Sequence, residues 1–137
     1  MSSYCKLLAE KAGLDPDLCK LIGDSSPTHY VGKVGLPAEI LVTPGTLTSE
    51  EFDIIKTHSE IGARILGDSC TELLKAASVI ALTHHEKIDG SGYPQGLVGE
   101  EIPITGRIAA ICDVFDALTS DRVYKKAFTI DKAIEIV

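Results

Sequence analysis

The stretch CTELLKAASVIALTHH, residues 70–85, decides the fold. Leu73, Ala77, Ile80, Ala81 and His84 fall on one stripe at helical spacing, and most of the remaining circumference is also apolar. A helix that is apolar nearly all round has to be surrounded by protein, so this segment is predicted as the central, buried helix. Downstream, residues 105–119 carry Ile108, Ile111, Phe115 and Leu118 and read as a second largely apolar helix. Upstream, Thr48-Ser49-Glu50-Glu51 has the acceptor side chain and early acids of a helix N-terminus. That helix is predicted to run through Phe52, Ile55, Ile61 and Ile65 and to end at Gly67. Residues 3–13 place Tyr4, Leu7, Leu8 and Ala12 at helical spacing and stop at Gly13. Asp15-Pro16 opens another helix, with proline in the first turn where it is tolerated. Ile40-Leu41-Val42 reads as a short apolar turn, and Ile130 to Val137 begins a last helix. Between the two apolar helices lies a long Gly-rich connection, residues 86–104, of a length usually reserved for function. The fold class is all-α, a single domain over residues 1–137 arranged as a helical bundle or orthogonal array.

Composition narrows the function. The chain has 137 residues, 13 Lys+Arg against 20 Asp+Glu, a formal net charge of −7 and 45% apolar residues. That apolar content excludes bulk disorder. The acidic balance excludes the basic footprint of a nucleic-acid polymer binder. No apolar run approaches the ~20 residues of a membrane helix. The N-terminus lacks the basic and apolar regions of a signal peptide, so the cytoplasm is the expected location. Cys5, Cys19, Cys70 and Cys112 form no CxxC pair and are expected as buried free thiols.

All four histidines fall at suggestive places. His29 precedes Lys33 by four residues, which puts both on one face if a helix runs through them. His58 is expected mid-helix near the end of a polar face. His84 and His85 close the most apolar helix. Asp113 sits inside Ala109-Ala110-Ile111-Cys112-Asp113-Val114-Phe115, where a carboxylate is costly unless paired or bound to a metal. Several histidines and a buried aspartate converging from separate helices suit a divalent transition-metal centre. Taken singly, each histidine reads more readily as a satisfied structural residue than as a ligand. Neither an HExxH pattern nor a P-loop is present.

The segments HHEKIDGSGYPQGL (84–97) and GEEIPITGRIAAICDVFDALTSDRVYKKAF (99–128) resemble the HD-GYP domain, a bacterial subclass of HD metal phosphohydrolases. PTHYVGKVGLPAEILVTPGTLTSEEFDIIKTHSEIGARIL (27–66) is similar to the same family in order and spacing, so the resemblance covers nearly the whole chain. It implies an HD-type helical array with a Gly-rich GYP loop, phosphodiesterase activity on cyclic di-GMP, and a centre of two or three iron or manganese ions. Carried over by position, His29, His58, His84, His85 and Asp113 are the implied metal ligands. Lys33 is the implied catalytic lysine at the substrate phosphate. Tyr93, Arg122 and Lys125 are implied to meet the dinucleotide. Arg122 lies nine residues past Asp113, about 2.5 helical turns, so the chain must turn near Thr119-Ser120-Asp121 for it to face the site.

Two departures stand out. The family's HD pair reads His29-Tyr30 here, and a neutral phenol with a pKa near ~10 is a poor substitute for a bridging carboxylate. The chain also begins after the position of the family's first-helix ligands and stops before its final helical segment. One transition-metal ion or none is therefore expected. The expected function is a degenerate HD-GYP-type domain with weak or no hydrolysis, binding a cyclic dinucleotide or a protein partner such as a diguanylate cyclase or an adaptor. The alternative is an active phosphodiesterase yielding pGpG or GMP. A homodimer is expected, formed through apolar surface left on the helices around 70–85 and 105–119.

Overall fold

The computed structural model describes residues 1–43, 45–121 and 126–137. Its order is α1 (Ser2–Lys11), α2 (Pro16–Ser25), two 3-10 turns (Ser26–Thr28 and Val31–Gly35), α3 (Ala38–Leu41), α4 (Ser49–Lys56), α5 (His58–Gly67), α6 (Glu72–Thr83), a 3-10 turn (Gly99–Glu101), α7 (Ile104–Thr119) and α8 (Ile130–Ile136). Among the described residues the only extended pairing is an isolated bridge between Asp89 and Val98. The all-α class read from the sequence holds.

Local signals set several helix starts. Asp15 caps α2 by accepting from the Asp17 amide, with Pro16 in the first turn. Thr48 and Glu51 form the reciprocal capping box expected at the start of α4. Helix α7 ends at Thr119, and Ser120 is extended, so the chain does turn where the sequence required.

The predicted single helix from Thr48 to Gly67 is two helices. The Thr57 hydroxyl donates to the Ile54 carbonyl, and the His58 ring donates to the Ile55 carbonyl. Those carbonyls would otherwise accept amides of a continuing helix, so the two side chains compete with the backbone ladder and break it. His58 is consequently buried at the junction rather than exposed mid-helix. Similarly, no continuous helix carries His29 and Lys33; His29 closes the first 3-10 turn and Lys33 lies in the second.

Among the described residues the core has two centres. Cys5, Ala9, Cys19, Ile22, Ile108 and Cys112 join α1, α2 and α7. Leu66, Ala77 and Ala81 join α5 to α6, with Val31 and Leu74 packed against them. Helix α6 is central, but Leu73 at its start is 42% exposed and leaves the predicted stripe. Ile65 and Ile111 are also exposed. Cys70 is exposed rather than buried, and all four thiols are unpaired.

Small residues bring the site-bearing segments together. A Cβ on Gly32 would collide with the His58 carbonyl and lie 2.5 Å from the Gly62 nitrogen. Only glycine lets the 3-10 turn that carries Lys33 sit directly on the first turn of α5. Gly32→Ala is expected to cost about 2 kcal/mol in urea unfolding, the range of overpacking in a rigid contact. An unchanged midpoint would show that this contact yields freely.

Candidate metal and nucleotide site

The site lies where four segments meet: the turn after α2, the start of α5, the end of α6 and the middle of α7. Three histidines there share one local device. The Nδ1 of His29 donates to the Ser26 carbonyl at 2.7 Å. The Nδ1 of His58 donates to the Ile55 carbonyl at 2.6 Å, and that of His84 to the Ala81 carbonyl at 2.9 Å. In each case the acceptor is the carbonyl three residues earlier. A carbonyl only accepts, so Nδ1 carries a proton in each ring, and in His58 and His84, which burial keeps neutral, Nε2 is the acceptor nitrogen. A helical turn thus ends on each histidine and aims its Nε2 inward.

Nε2 of His58 and Nε2 of His84 stand 3.3 Å apart. Two lone pairs at that distance repel unless a proton or a cation joins them. A proton is disfavoured. Burial, with neighbouring His85, His29 and His58, pushes His84 down to about 3. Burial and His58 push His85 down to about 4, and burial also lowers His58. Donor atoms of His58, His84 and His85 all lie within 4.8 Å of one another. Two imidazole nitrogens bound at ~2.0–2.1 Å to one ion, at an angle near ~105°, would be separated by about this 3.3 Å. The carbonyl bonds on Nδ1 are the outer-shell contacts that metal-ligating histidines normally make. This trio fits one divalent transition ion.

His29 and Asp113 are brought beside the trio, but their contacts differ. His29 Nε2 is buried without a hydrogen-bond partner and stands 3.5 Å from Asp113 Oδ1. The Tyr30 hydroxyl lies 2.8 Å from both Asp113 oxygens and donates its one proton between them. Burial pushes the Asp113 carboxyl up, but contact with His29 and the Tyr30 hydroxyl outweighs it and holds it down to about 2. The Tyr30 ring fills the space between the histidines, with its centroid 3.8 Å from that of His29, 5.8 Å from His84 and 6.1 Å from His58. Lys33 Nζ lies 3.7 Å over the Tyr30 ring, a cation–π distance.

Tyr93 closes the outer side. Its ring stacks on His85 at 4.7 Å and 27°, with Phe52 edge-on at 6.3 Å. Burial, with the Asp113 charge, pushes its hydroxyl up to about 12, so it remains a donor at neutral pH. Arg122 and Lys125 lie outside the described residues. Two participants, Phe52 and Glu86, are not singled out by the sequence, and for Tyr30 the sequence shows the departure but not the contact. The partner of Asp113 is Tyr30, 83 positions away, and no local pattern reports that contact. Phe52 read only as a core residue. Glu86 is buried beneath the GYP loop; its one signal is its place directly after the two histidines.

A family model described as HD domain matches residues 1–137. The chain is 46% identical to the cyclic di-GMP phosphodiesterase response regulator RpfG of Xanthomonas campestris pv. campestris, over 98% of this chain and 35% of that protein. It is 48% identical to a cyclic di-GMP phosphodiesterase of Vibrio cholerae, over 98% of this chain and 30% of that protein. It is also 48% identical to 3'3'-cGAMP-specific phosphodiesterase 2 of Vibrio cholerae, over 96% of this chain and 25% of that protein. The chain therefore spans about a third or less of the length of these relatives.

Proposed function

The chain belongs to the HD domain family, in its HD-GYP group, and we propose that it is a one-metal member that binds a cyclic dinucleotide of the cyclic di-GMP class and hydrolyses it weakly or not at all. The ligand class rests on the activities for which these relatives are named. The reduced chemistry rests on one observation: the Tyr30 hydroxyl is 2.8 Å from both oxygens of Asp113. His58, His84 and His85 would hold the ion. When bound, a divalent transition metal such as iron or manganese supplies Lewis-acid polarisation of a phosphoryl oxygen and a lowered pKa for a nearby water.

The protein's own groups divide the remaining work. Lys33 places a positive charge 3.7 Å over the Tyr30 ring and would neutralise a phosphate oxygen. Tyr93 presents a flat ring and a protonated hydroxyl to a base or a ribose. Asp113 is ionised, but its oxygens are engaged by Tyr30, so it neither takes a proton from water nor completes a second cation site. The intact trio and the seated Tyr93 favour a second reading, in which hydrolysis persists at one ion.

Elemental mass spectrometry on the purified protein is expected to give one divalent ion per chain, lost in His84→Ala. Calorimetry is expected to show cyclic di-GMP binding, with no conversion to pGpG over hours. Two ions per chain would overturn the one-metal reading, and rapid conversion would establish the second reading in its place.

A further inference from the structure

Glu86 is 4% exposed, and among the described residues no cation lies within ion-pair distance of it. A buried carboxylate is expensive unless its oxygens are satisfied. Here both are satisfied by backbone amides of the loop that follows. The Gln95 amide donates to Oε1 at 2.7 Å, and the Leu97 amide donates to Oε2 at 3.0 Å. The two bonds span nine and eleven positions, so one side chain fixes the far arm of the loop to the end of α6.

The near arm is fixed to the same place. The Tyr93 amide donates to the His85 carbonyl at 3.2 Å. A Cβ on Gly92 would lie 2.5 Å from the Glu86 Cα and would overlap the Lys87 nitrogen, so the loop runs flat against the Glu86-Lys87 backbone. The Asp89–Val98 bridge and a bond from the Gly99 amide to the Ile88 carbonyl close the base. Tyr93 is thereby trapped between the tie at its own amide and the tie at Gln95. Its ring lies stacked on His85.

We propose that Glu86 is a positioning residue: its buried carboxylate clamps the Gln95 and Leu97 amides and so holds Tyr93 on His85 as a preformed platform for a cyclic dinucleotide. The ligand in this statement rests on the reading above; the clamp does not. Charge-assisted bonds to backbone amides are about twice as strong as neutral ones, and rigidity already present in the unbound protein need not be supplied by the ligand. Glutamine cannot substitute, because it offers one acceptor oxygen and sets an NH2 donor against the second amide.

The test uses the whole chain and Glu86→Gln. Amide hydrogen exchange at Gln95 and Leu97 is expected to accelerate at least tenfold, and the Tyr93 ring protons to shift in NMR as stacking on His85 is lost. The Kd for cyclic di-GMP is expected to rise about tenfold or more. Metal content and far-UV circular dichroism are expected to stay unchanged, which a generally disordered variant would not manage. Unchanged exchange and ring shifts would overturn the clamp. Accelerated exchange with a Kd within twofold of the parent would overturn its role in recognition. If the parent itself fails to bind cyclic di-GMP, the ligand reading falls, and exchange and ring shifts still decide the clamp. If Glu86→Gln does not fold, exchange in the parent decides: Gln95 and Leu97 exchanging at free-loop rates would overturn the proposal.

Discussion

Tyr30→Asp is expected to raise the metal content from one ion per chain to two and to increase turnover of cyclic di-GMP by at least about two orders of magnitude, the scale on which one well-placed electrostatic group acts in phosphoryl chemistry. The expectation follows from what Tyr30 does to its neighbours. Its hydroxyl serves both Asp113 oxygens at 2.8 Å, and its ring takes up the volume bounded by His29, His58 and His84. A carboxylate in its place removes the ring and the donated proton together. Two carboxylates would then face each other beside the unpartnered His29 Nε2, an arrangement that repels itself without a cation. Tyr30→Phe separates the two effects. It withdraws the hydroxyl from Asp113 but keeps the ring, and is expected to remain at one ion with no gain in turnover. If Tyr30→Asp also stays at one ion and inactive, Tyr30 is not what limits the site.

What could be read in the sequence follows how far each determinant reaches along the chain. The capping box of Thr48 and Glu51, the Asp15 cap and the apolar circumference of 70–85 are set within one or two turns, and the structure bears them out. The break before His58 was missed because hydrophobic periodicity continues across it; the cause is two side chains that take helix carbonyls. The five implied ligand positions do lie together; the residue types suggest such a meeting, and the resemblance to a family names its members. Periodicity alone placed His58 on the wrong kind of surface. The contacts that decide the chemistry, Tyr30 with Asp113 and Glu86 with the far arm of the loop, join residues with no local relation. Tyr30 was recognisable as a departure, but that its hydroxyl would reach the remaining carboxylate depends on the approach of α7 to the turn after α2.

The metal-free protein is expected to lose stability steeply as pH falls from about 6.5 toward 4, by about 1.4 kcal/mol per pH unit for each histidine that is charged only when unfolded. His84 is held down to about 3 and His85 to about 4, chiefly by burial. Above about pH 6.5 both are neutral in either state and stability is flat. Below it the unfolded chain takes up protons that the folded chain refuses, so unfolding gains free energy until the folded values are reached. With two such groups the loss reaches about 6 kcal/mol by pH 4, comparable to the whole stability of a small domain. The depressed His58 acts in the same direction. Asp113 contributes elsewhere. Its folded value of about 2 stabilises the protein above the ordinary carboxylate range, and that contribution is lost only between about pH 4 and 2. Urea midpoints at pH 7, 6, 5 and 4 in the presence of a chelator measure the slope, and His84→Gln, with one titrating ring removed, is expected to reduce it by about a third to a half. A midpoint constant from pH 7 to 5 would show that the histidines are not held neutral. A bound ion adds to the same curve, because it requires neutral rings and binds only the folded arrangement. The holoprotein is therefore expected to start more stable at pH 7 and to fall more steeply, so that both curves meet where the ion is released.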